Sequence, residues 1–200
     1  ITLFHPVDSP ERENLRKRFN LPSLPIVVYS GRLESRKKLE TLLKAWQNVL
    51  KIKRSHLVII GEGSQKDSLR NLAQGLRIID FLRFTGHIGN VNRYLQAADA
   101  FVFPSAAEGL SNALLEAMAT ELPIVATRIG GTDEAMENDK NGILVEPDNV
   151  EELARGIITL LSQPEVARRL GRAARRTIEE NYSIGRVAQK HIKLYEEIIK

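Results

Sequence analysis

The chain of 200 residues has no cysteine, so neither a disulfide nor a thiolate metal site can hold its fold. That absence agrees with a reducing compartment, and a cytoplasmic location is expected. No apolar run approaches the ~18 residues that a membrane helix needs. Neither a spanning segment nor a secretory leader is expected in these residues. There is also no Asp-x-Asp pair and no cluster of His, Asp and Glu at ligand spacing, so no resident metal is expected. Charge of one sign is only modestly in excess: the net charge is +4 with a pI near 9.4. Such an excess suits phosphate-bearing ligands or an anionic membrane surface. Nucleic acid is not an expected partner, because no recognition motif accompanies the charge. What remains is an ordinary globular balance, 42% hydrophobic and 27% charged, at a length that fits one domain. The chain opens on Ile1 rather than Met and is expected to be a piece of a longer protein.

Short apolar runs alternate with helical spacing along the chain. Asp8-Ser9-Pro10-Glu11 reads as a helix start, with Leu15 and Phe19 facing inward and an end near Asn20. Ile26–Ser30, His56–Ile60, Leu82–Thr85, Ala100–Phe103, Pro123–Ala126 and Ile143–Val145 read as buried strands. Helices are expected over 39–50, 65–75, 92–98, 150–161, 164–180 and 182–200. About six such alternations imply an α/β fold: a Rossmann-like parallel sheet with helices on both faces. Ligands in such folds bind at the carboxyl ends of the strands. Residues 31–38, 61–63, 86–88, 104–116 and 130–134 all fall at those ends.

The chain is organised around residues 104–119, PSAAEGLSNALLEAMA. A small-residue loop runs into an alanine- and leucine-rich helix with Ser111 as its expected N-cap. The N–H groups of Leu110, Ser111, Asn112 and Ala113 would then lack helical partners and favour an anion. Glu108 and Glu116 frame that site, and both can accept hydrogen bonds from hydroxyls beside a bound phosphate. The plainer reading is an ordinary loop and helix with two exposed glutamates. Gly31-Arg32-Leu33-Glu34-Ser35-Arg36-Lys37-Lys38 likewise joins a strand to a helix through a glycine and a basic loop. That layout suits phosphate, although most charge runs are solvated. Gly61-Glu62-Gly63 follows another strand. A dinucleotide fold would want a third glycine where Lys66 stands and an acid after Leu82–Thr85, so that reading is rejected. The turn is expected to let a ligand approach the backbone closely. His87, with no Ser, Cys or metal-ligand partner nearby in sequence, is expected to be structural.

Glu108-Gly109-Leu110-Ser111-Asn112-Ala113-Leu114-Leu115-Glu116-Ala117-Met118-Ala119 resembles the two-glutamate hallmark of the C-terminal domain of retaining GT-B glycosyltransferases, family 4 in particular. Starch and glycogen synthases share that fold, but EGLSNALLE looks more like family 4. The resemblance covers nearly the whole chain. It implies that Arg32 and Lys37 grip the donor diphosphate, with Lys38 the alternative to Lys37 because the family often has Gly there. It implies a catalytic set of Arg32, Lys37 and Glu108. It also implies that the backbone of Ile88 reads the nucleobase edge and that Arg93 lies beside the base. With Gly31, Gly61, Gly63, Gly109, Leu110, Ser111, Asn112 and Glu116, these two complete the expected donor site. Thr127–Glu134 resembles the family's GG-x-x-E turn near the sugar end.

The same resemblance implies hexose transfer from a UDP- or GDP-linked sugar with retention of configuration. It divides the chain into a nucleotide-sugar-binding domain, 1–181, and a helix, 182–200, that crosses to a missing N-terminal acceptor domain. The isolated domain is expected to bind donor and turn over little. A nucleotide-binding module without transfer is the alternative. Arg168, Arg169, Arg172, Arg175 and Arg176 are expected on a solvated face, with peripheral contact to anionic lipid as the sharper reading.

Overall fold

The computed structural model describes residues 3–198; residues 199–200 of the last expected helix lie outside that range. Six strands form one parallel sheet in the order β3-β2-β1-β4-β5-β6. They are β1 (Ile26–Ser30), β2 (His56–Ile60), β3 (Leu82–Gly86), β4 (Ala100–Phe103), β5 (Ile124–Thr127) and β6 (Ile143–Val145). The helices are α1 (Ser9–Arg18), α2 (Leu39–Ile52), α3 (Lys66–Gly75), α4 (Val91–Ala97) and α5 (Asn112–Ala119). After them come α6 (Gly130–Asp133), α7 (Val150–Ser162), α8 (Pro164–Thr177) and α9 (Ile184–Ile198).

The inner strands β2, β1, β4 and β5 are buried at every position and mostly apolar, because helices cover both faces of the sheet. Successive side chains alternate between the two layers. Val27, Tyr29, Leu57, Ile59, Val102 and Val125 join α2, α3 and α7 in one core. Ile26, Val28, Val58, Phe101, Phe103 and Ile124 join α4, α5 and the end of α8 in the other. In α2, Leu39, Leu42, Leu43, Trp46 and Val49 recur at helical spacing and bury one face. Asp8 caps α1 by accepting from the Glu11 N–H, with Pro10 in the first turn, and the chain turns at Asn20 with φ +49°. Leu15 is buried as expected, while Phe19 is half-buried and stacks on Tyr94 at 4.2 Å between ring centroids.

Most element ends fall within two residues of expectation, and three places stand out. Gly130–Asp133 is a single helical turn, held by the Thr132 hydroxyl, which accepts from the Ile129 N–H and donates to the Thr127 carbonyl. The helix expected over 164–180 stops at Thr177 and widens into a π turn, Ile178–Tyr182, which keeps Ile178 buried and lets the Tyr182 hydroxyl donate to the Glu134 carbonyl. The last helix therefore begins at Ile184. Along it, Ile184, Val187, Ile192, Leu194 and Tyr195 are exposed. The α8 arginines are largely engaged: Arg168 with Glu165, Arg169 with the Asp139 carbonyl, Arg175 with Glu179 and the Ala119 carbonyl. Among the described residues no helix is long and apolar enough to cross a membrane.

His56 opens β2 and is buried, and this burial, with Arg83 close by, pulls its imidazole down to about 4 from an ordinary 6.5. The unfolded chain therefore binds a proton in that window that the folded protein refuses. Stability is expected to fall as pH drops from 6.5 toward 4, by about 2 kcal/mol from this group. Urea denaturation at both ends of the window checks it: the fall should be smaller by that amount in His56→Gln.

Candidate functional site

The order of the strands decides where the loops meet. The chain starts at β1 in the middle of the sheet, moves outward to β3, then returns to place β4 on the other side of β1. Strand order reverses there, and it is beside such a reversal, at the carboxyl ends of the strands, that open α/β sheets bind ligands; here it sets the loop after β1 beside the loop after β4. Both loops are fixed by backbone and core contacts. Leu33 is fully buried, the Tyr29 hydroxyl donates to the Arg32 carbonyl at 2.9 Å, and the Ala106 N–H donates to the Arg36 carbonyl at 2.9 Å. Burial, with the Glu108 carboxylate nearby, raises the Tyr29 phenol well above its ordinary value, so it remains a donor.

These contacts bring Lys37 and Glu108 together. Lys37 Nζ lies 2.6 Å from Glu108 Oε1, and both side chains are largely buried, 9% and 13% exposed. Arg36 reaches the same oxygen at 3.1 Å. The Lys37 ammonium also sits 5.8 Å from the centre of the Phe103 ring. Lys38 turns away: it adopts φ +53° between a 3₁₀ turn over Ser35–Lys37 and α2, and its ammonium pairs with Asp148 at 2.8 Å. Of the two adjacent lysines, only Lys37 meets Glu108.

Beside this pair lies a run of unused donors. Among the described residues, no backbone or side-chain acceptor takes the N–H groups of Glu108, Gly109, Leu110 or Ser111, and those of Asn112, Ala113 and Leu114 have no partner in the preceding loop. The first intrahelical bond closes at Leu115, which donates to the Ser111 carbonyl. Ser111 occupies the N-cap position with extended backbone, but its side chain makes no capping bond. The expected cap is thus present in backbone only, and the helix end stays open. Glu116 lies inside α5, half-buried, and burial raises its carboxyl above the ordinary value.

Gly61 and Gly63 border the site for a different reason from the one expected. A Cβ on Gly61 would stand 1.9 Å from the Gly31 carbonyl oxygen, and one on Gly63 would stand 2.3 Å from that of Leu33. The Gly31 N–H donates to Ile60 and the Leu33 N–H to Glu62. What approaches these glycines is the neighbouring loop, not open space for a ligand. Gly131 plays the same part on the other side: its N–H donates to the Glu108 carbonyl at 3.2 Å, and a Cβ there would lie 2.0 Å from the Gly109 carbonyl oxygen.

Two expected residues are not drawn into the group. Arg32 is 68% exposed and pairs with Glu34 at 3.0 Å. Arg93 reaches Glu11 of α1 at 3.5 Å and donates to the Gln96 side chain on its own helix, α4, at 3.1 Å. Ile88 and Leu110 both pack against the core on the α4 and α5 side of the sheet, and His87 is exposed. Arg36 was missed, and the available signal was only its place within the basic loop. No three of His, Asp and Glu come together as a metal-ligand set among the described residues.

Residues 11–177 match the family model described as glycosyl transferases group 1. A glycogen synthase of Mycobacterium tuberculosis is 34% identical over 175 residues, covering 84% of this chain and 42% of that protein. A GDP-mannose-dependent alpha-(1-6)-phosphatidylinositol monomannoside mannosyltransferase of the same organism is 31% identical over 193 residues, covering 92% and 50%. The crystal structure of Anabaena HepE in complex with UDP and glucose superposes with a TM-score of 0.89 at 20% identity, over 98% of this chain and 54% of that one, and shows the shared fold. The chain spans about half the length of the curated relatives it matches. Its six-stranded Rossmann-like sheet with a strand reversal between β1 and β4 and the family match over most of its length agree: the chain belongs to the glycosyl transferases group 1 family of GT-B glycosyltransferases.

Proposed function

We propose that this chain is the donor-binding half of a retaining, nucleotide-sugar-dependent hexosyltransferase. The observation that carries this reading is the open run of backbone N–H groups from Glu108 to Leu114 beside the buried Lys37. Transfer from a nucleotide sugar releases a diphosphate, whose charge must be stabilised as it forms. An ammonium and a helix N-terminus already in place supply that stabilisation without reorganisation. Glu116 takes ribose hydroxyls and Glu108 the sugar side. The acceptor attacks on the face that the diphosphate leaves, and its recognition lies in an N-terminal domain, onto which the exposed apolar side chains of α9 pack. The dependence of the similar mannosyltransferase on GDP-mannose and the UDP bound in the HepE structure support a nucleotide-sugar donor.

Titration calorimetry against UDP, GDP and ADP, each beside its nucleoside, tests the reading. At least one diphosphate should bind tenfold or more tightly than its nucleoside. Equal affinities, or none, would count against it.

Glu116→Gln should weaken the preferred nucleotide by about 1 kcal/mol, roughly fivefold, because an amide offers one acceptor oxygen where a carboxylate offers two. The 2′,3′-dideoxy nucleotide should be indifferent to the change; equal losses would remove the ribose role.

Because Lys37 and the helix end provide the positive charge, a chelator should leave the nucleotide dissociation constant unchanged. Raising salt should weaken binding moderately. A magnesium dependence of roughly tenfold, about 1.4 kcal/mol, would contradict this metal-free reading.

A further inference from the structure

Resting on that nucleotide-sugar reading, we infer that Arg36 is a further diphosphate-binding residue and that Glu34 is its built-in competitor. The loop after β1 and the loop after β4 carry a ladder of alternating charge. Glu34 bridges two arginines with its two oxygens, Oε1 to Arg32 at 3.0 Å and Oε2 to Arg36 Nε at 3.3 Å. Glu108 bridges the next two cations with one oxygen, Arg36 NH1 at 3.1 Å and Lys37 Nζ at 2.6 Å. Three cations thus share two carboxylates, and the excess positive charge lies beside the unpaired N–H groups of residues 108–114.

The members of this ladder differ in freedom. Lys37 is enclosed and offers a point charge in one place. Arg36 is held by its main chain, through the bond from Ala106, while its side chain is 46% exposed. Its remaining guanidinium nitrogen, NH2, has no acceptor among the described residues. Ion pairs that exposed open at little cost. A guanidinium presents a fork that matches two phosphate oxygens, and a diphosphate carries more charge than the single carboxylate it would displace. When the diphosphate enters, Arg36 leaves Glu34 and closes on it, while Glu108 stays with Lys37. Glu34 is then left with Arg32 alone. The strength of the Glu34–Arg36 contact therefore sets how much of the phosphate attraction is expressed.

The two neighbours make opposite predictions, which a merely structural role would not. Calorimetry with the preferred nucleoside diphosphate is expected to show about tenfold weaker binding in Arg36→Gln. The corresponding monophosphate should weaken about threefold, and the nucleoside not at all. Glu34→Gln should bind the diphosphate about threefold more tightly. That gain should vanish in the double variant, because a double-mutant cycle isolates the coupling between the two side chains. Both side chains lie at the surface end of the loop, and an unchanged melting temperature confirms that each variant is folded. A diphosphate affinity unchanged in Arg36→Gln, or weakened in Glu34→Gln, overturns the inference alone. A wild-type protein with no preference for diphosphate over nucleoside overturns the nucleotide-sugar reading and this inference with it.

Discussion

Lys37→Met is expected to lower stability by about 2–4 kcal/mol and nucleoside diphosphate affinity at least a hundredfold, about 2.7 kcal/mol. The loss of stability follows from what remains. Glu108 is 13% exposed and has Lys37 at 2.6 Å; without it, only the half-exposed Arg36 at 3.1 Å answers the carboxylate. Removing one partner of a buried pair costs more than the pair contributes, because the survivor keeps its desolvation penalty. The loss of affinity has a separate origin, the missing ammonium beside the open end of α5. A double variant, Lys37→Met with Glu108→Gln, separates the two. Most of the stability should return, because no buried charge is left unpaired, while diphosphate binding should stay lost. Urea denaturation and calorimetry read the two effects independently. Full recovery of both would show that Lys37 only neutralises Glu108.

Gly61→Ala is expected to destabilise the protein by about 3 kcal/mol. For a chain of this length that is a fall in melting temperature of about 6–12 °C. Gly61 has φ +133°, where an L side chain is strained, and its added methyl would meet the Gly31 carbonyl oxygen at 1.9 Å and its carbon at 3.0 Å. The atoms in the way are backbone, so no rotamer change relieves the contact. The loops after β1 and β2 would have to separate, breaking the Leu33 N–H to Glu62 carbonyl bond of 2.9 Å. Lys37 stands four residues further along the displaced loop, so diphosphate affinity should fall as well. An unchanged melting temperature would mean the two loops part freely. Reduced stability with full affinity would mean that the position of Lys37 does not depend on them.

The strands were legible because the sheet is parallel and covered on both faces. Ile26–Ser30, His56–Ile60 and Ala100–Phe103 are apolar or β-branched nearly throughout, and their ends coincide with glycine, proline or charge. A helix end with local chemistry was legible too: Asp8, within the expected helix start, caps α1 by accepting from the Glu11 N–H. The end of α8 was not. Its helical spacing continues past Thr177, and the π turn that interrupts it answers to the burial of Ile178 and the bond from Tyr182 to Glu134.

The candidate site divides along the same line. Composition, the strand-to-helix loops and the pair Glu108 and Glu116 are local in sequence, so the chain alone specified an α/β domain with an open helix start after β4. Which cation meets Glu108 is a contact between residues some seventy positions apart. It follows from the return of the chain across the sheet, which sets β4 beside β1. The left-handed turn at Lys38 sends that side chain to Asp148 and leaves Lys37 inside. Arg32 and Arg36 look equivalent in sequence, since both are arginines on one basic loop. Only the ion-pair geometry separates them: Arg36 shares Glu34 with Arg32 yet also reaches Glu108, and Arg32 stays in solvent. The glycines after β2 look like a ligand's doorway in sequence. The fold puts another backbone there, because two parallel loops leaving adjacent strands can pack this closely only where one of them carries no side chain.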